Sequence, residues 1–342
     1  MAMNVAALSG LMAEIFDDEV KSQINRTAPL VSLLPKRMAT GKNIQWDAKL
    51  GTAGSGGQNG VIADGTAPSN FPSDTRKPAS LEYGTYHGAF SITPKTMAYA
   101  AAARNPAELS NIFMDEFGDC VERLAIDVAE DIYSGNGAAD TIAGLSLAVD
   151  STGTYAGIDR AVDAQWAASE IDNTVSTNTL VKDMRQLRTA IYKASALPPD
   201  LWVMDPDTFE KYGDTFTDRR FNQDVYLRGQ KITLDAGYSA LEFDGIPVIQ
   251  DVRCPADTVF CLNTRHVYMQ QLPDPNNPGN QGQMTELSAE MDMEQTLSGR
   301  PGLMARFIPL AFDGGAYKFA LYVYPQLAVK RPNSCGKIIN VA

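Results

Sequence analysis

The residues best suited to acid–base or metal chemistry are few and lie far apart in this chain. The two histidines, His87 and His266, each stand inside a β-prone run without a partner motif beside them. No G-x-S-x-G, H-E-x-x-H, G-x-G-x-x-G or EF-hand sequence is present. We therefore predict no catalytic residue, no metal site and no cofactor, and we interpret both histidines as ordinary sheet residues.

The four cysteines, Cys120, Cys254, Cys261 and Cys335, form no C-x-x-C pair. Four scattered cysteines in a chain of 342 residues do not make a disulfide framework. We predict that they are reduced and act as small hydrophobic side chains in a cytosolic protein.

A glycine-rich stretch, Gly51 to Gly60, is the one segment that suggests phosphate binding. A phosphate-binding loop needs Gly-Lys-Ser/Thr leading into a helix, whereas here Gly60 leads into Val61-Ile62. The stretch is better interpreted as the tip of a β-hairpin.

A row of acids could be imagined as metal ligands, but no histidine joins them. It consists of Asp115, Glu116, Asp119, Glu122, Asp127, Glu130 and Asp131. We interpret the row as the solvated face of a helix.

The net charge of the chain argues against one class of function. Lys and Arg number 29 against 41 Asp and Glu, a net charge of -12, which argues against a protein that reads nucleic-acid sequence.

The apolar start, Met1 to Met12, contains no basic residue and runs into acids, so it is not a signal peptide. No apolar run approaches the roughly 18 residues that cross a bilayer, so we predict no membrane partner.

Three helices are predicted from apolar periodicity. The first covers residues 8–26, with Leu11, Ile15 and Phe16 on its apolar stripe, and ends before Pro29. The apolar run Leu30 to Leu34 follows it. Because so short a segment has no core of its own, we expect residues 1–43 to form an arm that docks on another surface.

The other two helices lie in the middle of the chain. Asn105-Pro106-Ala107-Glu108 combines an N-cap, a proline at the first helical position and a capping-box acid, and predicts a long helix over 106–134 that closes at Gly135. The second helix covers 177–196 and is stopped by Pro198-Pro199.

The remaining patterns are β-like. Residues 44–95 have β-prone ends around a middle rich in Gly, Ser, Asn and Pro, which predicts an extended hairpin loop. Leu241 to Leu272 resolves into four short strands, of which the first two are joined by a tight turn at Asp244-Gly245. In LWVMDPDTFEKY, a strand over Leu201 to Met204 runs into the helix start Asp205-Pro206.

Three segments, in this order along the chain, resemble the major capsid proteins of tailed bacteriophages with the HK97-type fold. They are GTYAGIDRAVDAQWAA (Gly153 to Ala168), LWVMDPDTFEKY, and the strand, DG, IPVI, turn, strand order of Leu241 to Leu272. The resemblance implies an α+β subunit with an N-terminal arm (1–43), an extended loop (44–95), a peripheral domain with a spine helix (96–196), an axial domain (197–322) and a C-terminal strand that returns to the peripheral domain (323–342).

The same resemblance implies a function in assembly. Copies of the chain would form hexamers and pentamers of an icosahedral virion shell, assembled in the host cytoplasm around non-specifically held double-stranded DNA. Expected partners are a separate scaffolding protein, a portal protein and a decoration protein. The residues expected to contact neighbouring subunits are Leu11, Ile15, Phe16, Lys49, Arg76, Lys77 and Glu82. Two alternatives stay open: an encapsulin-like host compartment, and a soluble enzyme with an unrecognised site.

Overall fold

The computed structural model describes residues 29–39, 41–52, 64, 74–96, 98, 106–138, 140–176, 179–214, 226–227, 230–231, 241–272, 306–313 and 315–341. Its helices are α1 (Pro29–Leu33), α2 (Pro106–Ser134), α3 (Leu145–Ala148), α4 (Asn173–Ser176), α5 (Leu180–Ser195) and α6 (Pro206–Asp214).

Its strands form several separate sheets. In chain order they are β1 (Lys36–Met38), β2 (Ile44–Thr52), β3 (Asp74–Leu81), β4 (Tyr86–Ile92), β5 (Thr154–Tyr155), β6 (Ile158–Asp159), β7 (Ser169–Asp172), β8 (Leu201–Met204), β9 (Tyr226–Leu227), β10 (Gln230–Lys231), β11 (Leu241–Phe243), β12 (Ile246–Gln250), β13 (Val259–Leu262), β14 (Val267–Gln271), β15 (Arg306–Asp313), β16 (Ala316–Val323), β17 (Pro325–Val329) and β18 (Gly336–Ile339). The predicted α+β class is confirmed.

The long helix α2 begins at Pro106 and ends before Gly135, as the capping signals predict. Its inward face buries Phe117, Val121, Leu124, Val128 and Ile132 at the spacing of an amphipathic helix. Immediately after the helix, the chain at Gly135 passes against the carbonyl of Ile142, where a Cβ would collide. Glycine is therefore needed at this position by close backbone approach.

A six-stranded sheet, in the order β11-β12-β8-β13-β18-β7, divides the interior into two cores. In β8, Leu201 and Val203 pack with α2 in the first core, whereas Trp202 and Met204 pack in the second core with α5. Strand β13 alternates in the same way. Because successive side chains of a strand point to opposite faces, a short wholly apolar strand indicates a sheet that is covered on both sides.

Two local sequence signals are confirmed at atomic detail. Asp244 and Gly245 have φ of 50° and 79° and join β11 to β12 as a two-residue hairpin, the geometry that Asp-Gly favours. The carboxylate Oδ2 of Asp205 accepts a hydrogen bond from the backbone N of Thr208 at 3.2 Å and caps α6, which starts at Pro206.

The extended hairpin is shorter than the sequence suggests. Strand β2 pairs with β3, in a register from Ile44 opposite Leu81 to Thr52 opposite Asp74. The apolar run over Tyr86–Ile92, expected to close the hairpin, lies instead in a separate sheet of order β15-β16-β4. Strand β4 covers the side of α2, and this long-range packing decided its partner.

The second predicted helix, over 177–196, corresponds to α5 over Leu180–Ser195. The single turn α4 precedes it and lies outside the predicted range. All four cysteines are buried free thiols, as predicted. Within the described part of the chain, no helix is both long and apolar enough to cross a membrane.

Candidate subunit interface

The hairpin β2–β3 has one buried and one exposed face. Ile44, Ala48 and Leu50 are buried and Trp46 is half-buried, whereas Gln45, Asp47 and Lys49 turn outward. Lys49 stands opposite Arg76 in the strand register, and both side chains are exposed. Asp47 is exposed on the same face, so Lys49 and Arg76 form a local cationic patch on it, which favours contact with an anionic surface.

The root of the hairpin is fastened to Gly153–Ala168, which we call the anchoring segment. Lys77 Nζ lies 2.6 Å from Asp163 Oδ2, and the backbone N of Ser80 donates to Ala156 O at 3.1 Å. The rings of Trp46 and Trp166 lie 6.5 Å apart between the two segments. These contacts fix the direction in which the hairpin leaves the subunit.

The anchoring segment is itself held by a buried arginine. Arg160 donates from Nη1 to Thr152 O at 2.6 Å and from Nη2 to Leu147 O and Ala148 O at 2.9 and 2.8 Å. These hydrogen bonds satisfy carbonyl groups at the end of α3. Burial lowers the pKa of Arg160, although Asp150 opposes the shift. Only the tertiary structure reveals that this arginine supports the hairpin root.

Two tight backbone positions complete the anchoring segment. Gly153 and Gly157 have φ of 73° and 80°, in the left-handed region that glycine adopts without strain. They bring Tyr155 inward, where its hydroxyl accepts a hydrogen bond from the backbone N of Val329 at 2.9 Å. Trp166 Nε1 donates to Tyr155 O at 3.2 Å, so the aromatic residues of this motif pack rather than bind a ligand.

A cleft of about 380 Å³ lies beneath the hairpin root. Its lining includes Glu82, Tyr83, Asp140 and Gln326. The side-chain amide of Gln326 donates to the backbone carbonyl of Glu82 and accepts from the backbone N of Ala143 at 2.9 Å, so it joins the two walls of the cleft. Burial raises the pKa of Tyr83 to about 12, which keeps this hydroxyl protonated.

The residues that follow the predicted arm helix dock inside their own subunit. Leu30, Val31 and Leu33 of α1, and Leu34 directly after it, are buried in the first core. Strand β1 then pairs in parallel with β14, Lys36 opposite Met269. We call Pro29–Ala39 the arm segment. The prediction that the arm docks on another surface is therefore wrong for Leu30 to Leu34, because the core of the same subunit supplies their apolar partners.

Asp251 joins the arm segment to the rest of the molecule. Its Oδ2 accepts from Tyr133 OH at the end of α2 at 2.7 Å and from the backbone N of Leu30 at 3.4 Å. Its Oδ1 accepts from the backbone N of Arg253 at 3.0 Å. Burial raises the pKa of Asp251, and these hydrogen bonds oppose the shift without cancelling it.

The outward face of α2 is acidic, as predicted. Glu116, Asp119, Glu122 and Asp127 are exposed. Burial, Glu130 and Asp131 together raise the pKa of Asp127. Among the described residues, no group of three or more His, Cys, Asp or Glu side chains is arranged to hold a metal ion. The exposed acids of this row therefore form a negatively charged surface.

Comparison with known proteins decides the fold. No protein-family model and no curated protein matches the chain. Among solved structures, the chain is similar to the capsid of cyanophage A-1(L), with 20% identity, a TM-score of 0.64 and coverage of 92% of this chain and 93% of that chain. The chain has the HK97-type capsid fold.

Two further structures with this HK97-type fold show how widely it is shared. The capsid of the native GTA particle matches with 12% identity, a TM-score of 0.56 and coverage of 92% of this chain and 91% of that chain. The holo-SrpI encapsulin complex from Synechococcus elongatus PCC 7942 matches with 14% identity, a TM-score of 0.53 and coverage of 92% and 88%. The same fold therefore occurs in the capsid of a GTA particle and in an encapsulin.

The HK97-type subunit brings together only part of the predicted contact set. Lys49 and Arg76 share the exposed face of the hairpin, Lys77 is engaged by Asp163 at the root, and the exposed Glu82 lies beside the cleft. Leu11, Ile15 and Phe16 lie outside the described residues. Sequence reasoning missed Val162, a side chain 72% exposed in the anchoring segment beside Asp163. The sequence signal for it was an apolar residue directly before Asp163 in a loop.

Proposed function

We propose that this chain is a structural shell protein, the major capsid protein of a tailed bacteriophage. Its copies form hexamers and pentamers that close into an icosahedral virion shell around double-stranded DNA. The observation that carries this proposal is the match to a cyanophage capsid chain over 92% of this chain and 93% of that one. So complete an overlap with a capsid chain supports assembly rather than turnover.

The charges on the surface support a specific contact between subunits. The outward face of the hairpin carries Lys49 and Arg76, and the outward face of α2 carries Glu116, Asp119 and Glu122. In this proposal the hairpin of one subunit lies over α2 of its neighbour. Complementary charges steer such an encounter and set its register more than they set its affinity.

Purification of the full chain, alone and with a scaffolding protein, tests the proposal. We expect light scattering and electron microscopy to show hexamers, pentamers or closed shells. A chain that stays monomeric under every salt and scaffold condition contradicts the proposal.

Charge reversal tests the contact itself. Lys49→Glu with Arg76→Glu should lower particle yield, and adding Glu116→Lys with Glu122→Lys should restore part of it. Lys182→Glu with Lys193→Glu, on the exposed side of α5, is the matched control and should leave yield unchanged. Equal loss in both double variants would remove the hairpin from the contact.

An encapsulin-like compartment is the second candidate function, because the SrpI encapsulin shares the fold over 92% of this chain. The contents of purified particles distinguish a phage capsid from an encapsulin-like compartment. Nuclease-protected DNA, together with neighbouring genes for a terminase and a portal protein, supports the capsid. A protein cargo without DNA supports the compartment.

A further inference from the structure

Four cationic side chains and one histidine meet at one end of the sheet β1-β14-β17 in a chain whose net charge is -12. They are Arg37, Arg265, His266, Lys330 and Arg331, which we call the basic cluster. Strands β14 and β17 are antiparallel, with Val267 opposite Val329, so residues just before β14 and just after β17 meet at the same end. The backbone N of Lys330 donates to His266 O at 2.8 Å and joins these two ends.

Arg37 reaches the cluster from the neighbouring strand β1. Its Cζ lies 4.4 Å from the centroid of the Tyr268 ring, and Lys330 Nζ lies 5.2 Å from the same centroid. One aromatic ring therefore holds two cations, which is favourable for each of them but leaves their charges side by side. Arg37, Arg265 and Arg331 are exposed.

Among the described residues, the charges of the cluster have no ion-pair partner. Within the described part of the chain, no carboxylate lies within 4.0 Å of any of the five side chains. The acid that faces His266 is Asp200, whose two carboxylate oxygens accept from Thr264 N at 2.7 Å and Thr264 Oγ1 at 2.9 Å. Those hydrogen bonds direct the carboxylate toward the turn.

Burial and mutual repulsion both lower the pKa of the two partly buried members, Lys330 and His266. Burial lowers the pKa of Lys330, and Arg37 lowers it further. Burial also lowers the pKa of His266, with Arg331, Arg265 and Lys330 adding to the shift and Asp200 opposing it. A polyanion placed here relieves the repulsion that the folded chain leaves in place.

We propose that the basic cluster is a sequence-independent contact for the phosphate backbone of double-stranded DNA. Three arginines favour phosphate, because a guanidinium presents paired N–H donors that match two phosphate oxygens. The cluster holds the duplex at a few points per subunit while the acidic remainder repels it. The choice of DNA as partner rests on the proposed capsid function.

Salt-dependent binding of a short mixed-sequence duplex to the full-length, unassembled subunit tests this inference. The triple variant Arg37→Gln, Arg265→Gln, Arg331→Gln should bind on the order of tenfold more weakly at low salt, with the slope of log K against log salt smaller by about 2 to 3. The matched control Lys182→Gln, Arg185→Gln, Lys193→Gln removes the same charge from exposed positions of α5 and should keep the wild-type slope.

Each remaining outcome is decisive. Equal slopes for the triple variant and its control overturn the inference, and so does binding of polyglutamate without binding of the duplex, which identifies an acidic peptide as the partner. If the triple variant fails to fold, Arg265→Gln and Arg331→Gln are measured singly, each with an expected slope change of about 1. Because the free subunit is used, failure to form shells contradicts the proposed function and leaves the DNA result independent.

Discussion

The arm segment and the hairpin pack against the same core, but they expose different amounts of surface. In the arm segment, Leu30 and Leu34 are fully buried, and the backbone continues into a parallel strand beside β14. In the hairpin, only every second residue is buried, and the outward face carries Lys49 and Arg76. The arm segment therefore contributes to the stability of the subunit, whereas the outer face of the hairpin is exposed and can contact a neighbour.

The largest expected effect is on assembly and concerns the residues before the arm segment. Replacing Leu11, Ile15 and Phe16 together by Asp should leave the subunit folded and abolish shells, because each lost burial of about 1.5–3 kcal/mol is repeated in every copy. Circular dichroism and particle yield are measured on the same preparation. Normal shells from the triple variant would show that assembly does not use this stripe.

Next in size is the contrast between two buried leucines. Leu34→Ala in the arm segment should lower the free energy of unfolding of the subunit by about 2–5 kcal/mol. Leu50→Ala near the far end of the two-stranded hairpin should cost less, because less of the structure packs around it. Chemical denaturation of the unassembled subunit measures both. Equal costs would contradict the distinction between the two regions.

The pH dependence of the arm junction is the third expectation. Burial raises the pKa of Asp251 above 3.8, so the folded state binds more protons than the unfolded state between 3.8 and the raised value. The contribution of Asp251 to stability therefore falls as the pH rises through that window, and Asp251→Asn should remove this trend. Unfolding measured across the window checks it, and an unchanged pH profile in the variant speaks against it.

Asp150 provides the control with the opposite sign. Burial alone would raise its pKa, but hydrogen bonds from Lys337 Nζ at 2.7 Å and from Thr152 lower it below 3.8. Its contribution is complete above 3.8 and is lost as the pH falls through the folded value. Asp150→Asn should therefore remove a loss of stability in acid.

The smallest effect is expected at the hairpin root. Lys77 and Asp163 are 41% and 12% exposed, so their ion pair should contribute about 0.2–1 kcal/mol to the subunit. A double-mutant cycle with Lys77→Gln and Asp163→Asn measures this coupling. Lys182→Gln on α5 is the matched lysine control. A coupling energy of zero would show that the hydrogen bond of Ser80 and the packing of Trp46 anchor the hairpin without the ion pair.

Local chemistry in the sequence was enough to predict several elements. The capping residues before α2, the Asp-Gly turn and the Asp205-Pro206 helix start each act over a few neighbouring positions, so their effect does not depend on the rest of the fold. The order of the short motifs was enough to predict the fold class. The acidic face of α2 also followed from helical spacing.

Partners distant in the chain were decided only by the tertiary structure. The pairing of Tyr86–Ile92 with Ala316–Val323, and the place of Gly336–Ile339 between β13 and β7, depend on which apolar faces can be covered together. An alternating strand pattern predicts that one face is buried, but it does not identify the segment that covers that face. The same reason explains why Arg160, Asp251 and the basic cluster could not be found from sequence: each depends on segments that meet only when the chain folds.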